Sequence, residues 1–203
     1  MQTQSEMLGI GLIAAVIVVL VVSRVRGRDP WRALVIFSLS LALGAFGARA
    51  WAVAFSGAQW TGWGGFSSSG AILLGGVPAL WLILTKSDDG PAISSGAFGL
   101  LVFLRFGCHL EGCDPGILRG EARLPFALLD ASNALLAAII SFINPLWGAA
   151  SYMGGRFLAE FARDPTTTAH LGALNRPQWV MVGGLLTLFL LKYLYGVVSR
   201  KTD

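Results

Sequence analysis

Tyr152, Arg156, Glu160 and Arg163 are spaced so that a helix running through them carries all four on one face. Glu160 then has Arg156 four residues behind it and Arg163 three ahead, and can pair with either. One carboxylate facing two guanidiniums leaves a surplus of positive charge. Such a stripe can neutralise itself and merely pack or snorkel, or it can hold an anion. Arg105 is the second feature, followed by Gly107, Cys108 and His109. Two or three arginines meeting at one depth make a phosphate site, because the guanidinium fork matches phosphate oxygens in pairs. In a membrane the obvious phosphate is a lipid headgroup, and the alternative is interfacial snorkelling. Cys108 and Cys113, with His109 and Asp114 beside them, leave four readings open: a disulfide, plain packing, a metal site or direct chemistry. No Walker loop, G-x-S-x-G or H-E-x-x-H sequence is present.

The elements that position these residues are apolar. Of 203 residues, 55% are hydrophobic and only 13% charged, with 26 glycines, and the mean hydropathy is +0.67. A soluble domain carries roughly a quarter charged residues, so about half the usual surface charge is missing. Disorder and coiled coil are excluded, and a β-barrel lacks its alternating strands. The expectation is an all-α polytopic membrane protein with about seven transmembrane helices in a single domain, residues 1–203.

The first run, 8–22, follows Glu6 without a preceding Lys or Arg and precedes Arg24, Arg26, Arg28 and Arg32. A signal peptide carries its positive charge ahead of the apolar stretch, so this run reads as a membrane span in the opposite sense. The positive-inside bias places the four arginines in the cytoplasm and the N-terminus outside. Span two is expected over 33–55, with Arg49 inside it. The uncharged stretch 56–69, bearing Trp60, Trp63 and Phe66, suits an outer interfacial loop. Span three is expected over 70–85, ending at Lys86, Asp88 and Asp89, and span four over 92–105. Residues 106–124 hold Cys108, His109, Glu111, Cys113, Asp114, Arg119, Glu121 and Arg123 and look too polar to span. Spans five, six and seven are expected over 125–143, 146–161 and 178–198, with Asn144-Pro145 as a breaker and Arg200-Lys201 closing the chain. The pairs Gly75-Gly76, Gly154-Gly155 and Gly183-Gly184 are expected to permit close helix approach.

Two segments resemble a known family. Arg105-Phe-Gly-Cys-His-Leu-Glu-Gly-Cys-Asp-Pro-Gly116 is similar to the Arg-x-Gly-Asn-Phe-x-Asn-Gly-Glu-x-x-Gly segment of prolipoprotein diacylglyceryl transferases, some relatives of which carry a Gly-Cys-Phe-x-x-Gly-Cys-Cys version. Arg105, Gly107, Gly112 and Gly116 fall on its fixed positions. Tyr152-x-x-x-Arg156-Phe-x-x-Glu160-Phe-x-Arg163 resembles the family's Tyr-x-x-x-Arg-Phe-x-x-Glu-Phe-x-Arg helix. Gly44-x-x-Gly47-x-Arg49 and Pro177-Gln178 resemble two further elements, so the likeness covers most of the chain. The family's His-Gly-Gly element is replaced by Ser69-Gly70-Ala71, its motif asparagine by Cys108 and its glutamate by Cys113.

The resemblance implies seven helices with the N-terminus outside, in a bacterial inner membrane, with the site toward the periplasm. It implies that arginines grip the phosphate of phosphatidylglycerol. A base takes the proton of the lipobox cysteine in the signal-peptide region of a prolipoprotein, and the thiolate attacks the glycerol carbon, expelling glycerol 1-phosphate. Arg105, Arg156, His109 and Glu160 are the expected catalytic set, with His109 in place of the missing histidine because imidazole exchanges protons readily near neutral pH. Arg49, Tyr152, Arg163, Cys108, Gly107, Gly112 and Gly116 are the expected substrate-binding set. No cofactor, metal or nucleic acid is expected; the partners are phosphatidylglycerol, the prolipoprotein and membrane lipid. The competing readings are a same-fold protein that transfers a lipid or headgroup to another acceptor, and a non-catalytic lipid-binding or transport protein. An inverted repeat would favour transport, and the sequence has none.

Overall fold

The computed structural model describes residues 2–56, 59–60, 68–85, 87–113, 116–119, 122–167 and 170–199. Seven α-helices run through them: α1 (Gln2–Val25), α2 (Pro30–Ser56), α3 (Ser68–Leu84), α4 (Gly90–Glu111), α5 (Phe126–Ile143), α6 (Pro145–Ala159) and α7 (Arg176–Ser199). Two-stranded antiparallel ribbons precede α5 and α7: β1 (Leu118–Arg119) with β2 (Ala122–Arg123), and β3 (His170–Leu171) with β4 (Leu174–Asn175). Five helices, α1, α2, α4, α5 and α7, are long and apolar enough to cross a membrane. At a rise of about 1.5 Å per residue, α6 reaches only about 22 Å, short of a hydrocarbon core of about 30 Å.

Helix α4 is the centre of the bundle, packed along α1 on one side and α5 on the other, while α2 pairs with α3 and α6 bridges α5 to α7. Ala15, Val19, Phe37, Ile93 and Leu100 form the buried core at the α1–α2–α4 junction. The opposite face of α1 exposes Ile13, Ile17 and Val21, as a lipid-facing helix does. Small residues set the spacing: Ser95 Oγ donates to the Ala138 carbonyl at 3.0 Å, fastening α4 to α5. In each glycine pair one member makes the close approach. Gly75, Gly155 and Gly184 face neighbouring helices, whereas Gly76, Gly154 and Gly183 open onto empty space.

Contacts between helix ends fit alternating helices. At one end Arg28 pairs with Asp88, Arg32 Nε lies 3.1 Å from Asp89, and Arg26 donates to the Phe142 carbonyl at the close of α5. At the other, Gln4 N donates to Glu111 at 2.8 Å and Arg176 to the Phe55 carbonyl at 3.3 Å. Asn144 and Pro145 break the chain between α5 and α6 as expected, and Asn144 also caps α6, its side chain accepting from Leu146 N and Trp147 N.

Two expectations are corrected. Helix α4 does not stop at Arg105 but continues to Glu111, so Gly107, Cys108 and His109 lie on it rather than in a loop. Polar residues end a membrane span without ending a helix. The stop is Gly112, in the left-handed region at φ 66°, whose N–H reaches the carbonyls of Cys108 and His109. Arg163 is likewise off the helix that carries Tyr152 and Arg156. The chain tightens into a 3-10 turn over Glu160–Ala162 and Arg163 is extended. The expectations for Trp63, Phe66, Lys86, Asp114, Glu121, Arg200 and Lys201 lie outside the described residues.

Candidate functional site

Asp130, on the first turns of α5, is wholly buried. Its Oδ2 lies 2.5 Å from Arg105 Nε of α4 and 2.5 Å from Arg156 Nη1 of α6. The other arm of the Arg156 fork, Nη2, lies 2.7 Å from Glu160 Oε1, and Arg163 Nη1 approaches the same oxygen at 3.5 Å. Glu160 Oε2 accepts from Asn175 Nδ2 at 2.9 Å. The ring of Phe126 lies under two of the arginines, 4.8 Å from the Arg156 guanidinium and 5.4 Å from that of Arg163. Among the described residues, three guanidiniums and two carboxylates thus form one continuous cluster.

Each member is held by the local fold. Asn175 caps α7 reciprocally with Gln178: Gln178 N donates to Asn175 Oδ1 at 2.9 Å, and Asn175 N donates to Gln178 Oε1 at 3.0 Å. That box leaves the Asn175 amide free to turn toward Glu160. Tyr152, buried one turn before Arg156, packs on Phe98 at 5.2 Å and stands within electrostatic reach of Asp130, Arg105 and Arg156. Its carbonyl accepts from Asn133 Nδ2 at 2.9 Å. A Cβ on Gly155 would lie 2.0 Å from Asn133 Oδ1, so glycine is what lets α6 close onto α5 beside the cluster.

The two sequence motifs meet. Gly116 and Arg163 form an antiparallel backbone bridge, and Ile117 N donates to the Ala162 carbonyl at 2.9 Å. Arg123 donates to the Gly116 carbonyl at 3.2 Å and to Asp164 at 2.9 Å. Arg123 and the hydroxyl and amide of Thr166 hold the Asp164 carboxyl down at about 2. A Cβ on Gly107 would meet Met7 of α1 at 2.9 Å, and one on Gly116 would meet the Leu124 carbonyl at 2.0 Å. These motif glycines therefore bring backbones together and offer no chemistry of their own.

Of the sequence-selected residues, Arg105, Tyr152, Arg156, Glu160 and Arg163 gather in the cluster. Arg49 is buried on α2, with Nε donating to the Trp60 carbonyl at 3.2 Å. His109 is exposed on the last turn of α4 and is not among the groups that meet Asp130 or Glu160. Cys108 and Cys113 are joined in a disulfide, Cα–Cα 5.3 Å, which decides among the four readings of the pair and leaves neither sulfur as a thiol. No group of metal-ligating side chains occurs among the described residues. Asp130, Asn175 and Asn133 were not singled out by the sequence. Asp130 carried a signal nonetheless, as the one ionisable residue in the apolar run of α5.

The arrangement is suited to stabilising negative charge. Its guanidiniums converge from two helices and an adjoining segment, in low-dielectric surroundings that strengthen each contact. No known protein family, curated protein or solved structure matches the chain.

Proposed function

We propose that the chain is a lipid-dependent transferase that moves the diacylglyceryl group of phosphatidylglycerol onto the lipobox cysteine of a prolipoprotein. The observation that carries this reading is the convergence of Arg105 and Arg156 on one buried point. Ionisable groups inside an apolar bundle are costly, and replacing a buried ion network with apolar side chains is often neutral or stabilising. Such a cluster is therefore better explained by a ligand than by stability. Arg105 and Arg156 border the phosphate and offset the charge that grows on it as glycerol phosphate leaves. Glu160, tied to Arg156, Arg163 and Asn175, orients the arginines.

In this reading all seven helices lie in the bacterial inner membrane, with the N-terminus outside, the C-terminus in the cytoplasm and the site toward the periplasm. Two features support that orientation. The arginines after α1 meet the α3–α4 turn at one end, as a cytoplasmic face rich in positive charge would. The disulfide lies at the other, as an oxidising compartment favours.

The second reading, a same-fold enzyme with a different acceptor, is favoured by one observation. The positions of the family's asparagine and glutamate are occupied by the disulfide, and His109 stands outside the cluster. The deciding experiment is transfer of labelled diacylglyceryl from phosphatidylglycerol to a lipobox peptide by the purified protein in detergent. Transfer that depends on Arg156 supports the first reading. Phosphatidylglycerol binding that depends on Arg156, without transfer to this peptide, moves the assignment to the second.

A further inference from the structure

The proposed reaction needs a proton acceptor, and the expected one, His109, is exposed at the end of α4. Asp130 is in the right place. Its Oδ2 is taken by Arg105 and Arg156, while its Oδ1, fully buried, has no hydrogen-bond partner among the described residues. A buried oxygen left unmatched is rare in native proteins and calls for a reason. Glu160 differs: one of its oxygens is shared by Arg156 and Arg163, and the other is filled by Asn175.

The charge balance of the step gives the same answer. A phosphodiester held beside these arginines carries a single negative charge. When the bond to the glycerol carbon breaks, the phosphate gains a second negative charge. In a low-dielectric interior that excess must be cancelled where it forms. Resting on the transferase reading above, we propose that Asp130 is the proton acceptor, neutralised by the thiol proton as the phosphate takes its second charge. The step balances. The S–H bond breaks and its proton moves to Asp130 Oδ1; the sulfur forms a bond to the glycerol carbon; the C–O bond breaks and its electron pair stays on the phosphate oxygen. The total charge of the site is unchanged throughout, and no oxidant or further reactant is needed. The Tyr152 hydroxyl is buried within reach of the Asp130 carboxylate.

The test uses the full chain in nanodiscs, with and without phosphatidylglycerol, and two lipobox peptides that differ only in carrying cysteine or selenocysteine. A selenol is ionised at neutral pH and needs no base. Asp130→Asn is expected to lower transfer to the cysteine peptide by about 10²–10⁴-fold, the usual contribution of a positioned acid or base. It should keep its stabilisation by phosphatidylglycerol and recover transfer with the selenocysteine peptide. His109→Ala should leave both rates within about threefold of wild type, well inside that range. If Asp130→Asn does not fold, Asp130→Asn with Arg105→Gln removes one charge of each sign and is compared with Arg105→Gln alone. The selenocysteine peptide should then bring the double variant up to the single one. Wild-type transfer together with an active Asp130→Asn on the cysteine peptide overturns the role of Asp130 and leaves the transferase reading standing. An inactive Asp130→Asn that selenocysteine does not rescue also overturns it, showing a merely structural carboxylate. A wild type that transfers to neither peptide overturns the transferase reading and this proposal with it.

Discussion

Arg156 is the residue on which the cluster turns, and Arg156→Lys measures how much its fork contributes. One arm of the guanidinium lies 2.5 Å from Asp130 and the other 2.7 Å from Glu160, joining α5 to the end of α6. A lysine keeps the charge but is a point donor on a shorter reach, so it serves one carboxylate and leaves the other short of a partner. A hydrogen bond to a charged group contributes about 1.5–3 kcal/mol, and the site is dry enough that the upper half of that range applies. Taking about 2–3 kcal/mol, and roughly 2–4 °C per kcal/mol for a chain of this length, the melting temperature should fall by roughly 4–12 °C. Tryptophan fluorescence during heating in neutral-lipid micelles reads this directly. Arg163→Lys is the internal control. Its contact with Glu160 is 3.5 Å long and its side chain is 15% exposed, so the loss should stay below about 1 kcal/mol. In the transfer assay Arg156→Lys should lose about 10²–10³-fold, the usual cost of one contact to developing charge. A lysine variant that melts with the wild type, or an Arg163→Lys variant that costs as much, refutes the claim that the fork holds the cluster together.

Glu160→Gln keeps a partner for Asn175 but leaves Arg156 and Arg163 facing one carboxylate fewer; it should lower thermal stability and slow transfer, and unchanged values for both would deny Glu160 its orienting role. Membrane-impermeant thiol reagents should label Cys108 and Cys113 in intact cells only after reduction; labelling that requires permeabilised cells reverses the orientation. Asp164, held near 2 by Arg123 and Thr166, stabilises the folded loop fully above its ordinary value of 3.8 and loses that contribution as pH falls through about 2. Arg123→Ala should move its carboxyl titration, followed by NMR, back up toward 3.8. Gly155→Ala drives a methyl into Asn133 and should destabilise by about 1–3 kcal/mol, whereas Gly154→Ala, facing open space, should be neutral or mildly stabilising.

The helices were legible because apolar runs of this length have few alternatives, and most boundaries lie within three residues of expectation. The exceptions are the start of α1 and the end of α4, where polar residues end the apolar stretch without ending the helix. Glu160 and its two arginines were legible because their spacing lies within one turn or so of chain. Asp130 was not. It has no charged neighbour three or four residues away on α5, and its partner Arg156 is 26 residues further along. Helical periodicity finds pairs on one helix; a pair formed by two packed helices leaves no interval to read. Arg163 marks the same limit from the other side, since a straight helix was extrapolated through a turn that tightens at Glu160.

The two ends of the bundle are built differently, and the difference bears on where chemistry can occur. At the end where α1 stops, the ties are Arg28 with Asp88, both exposed, and Arg32, itself exposed, with the buried Asp89. A pair exposed on both sides, such as the first, contributes about 0–1 kcal/mol. At the opposite end α4, α5, α6 and the cap of α7 are joined through Arg105, Asp130, Arg156, Glu160 and Asn175, all of them buried. A disulfide and a backbone bridge between the two motifs fix the surrounding segments. Catalysis by charge requires donors already in place, because any reorganisation during the reaction subtracts from their effect. Only the second end meets that requirement. Its buried charges would be a poor choice for stability alone, and a good one for receiving a single phosphate.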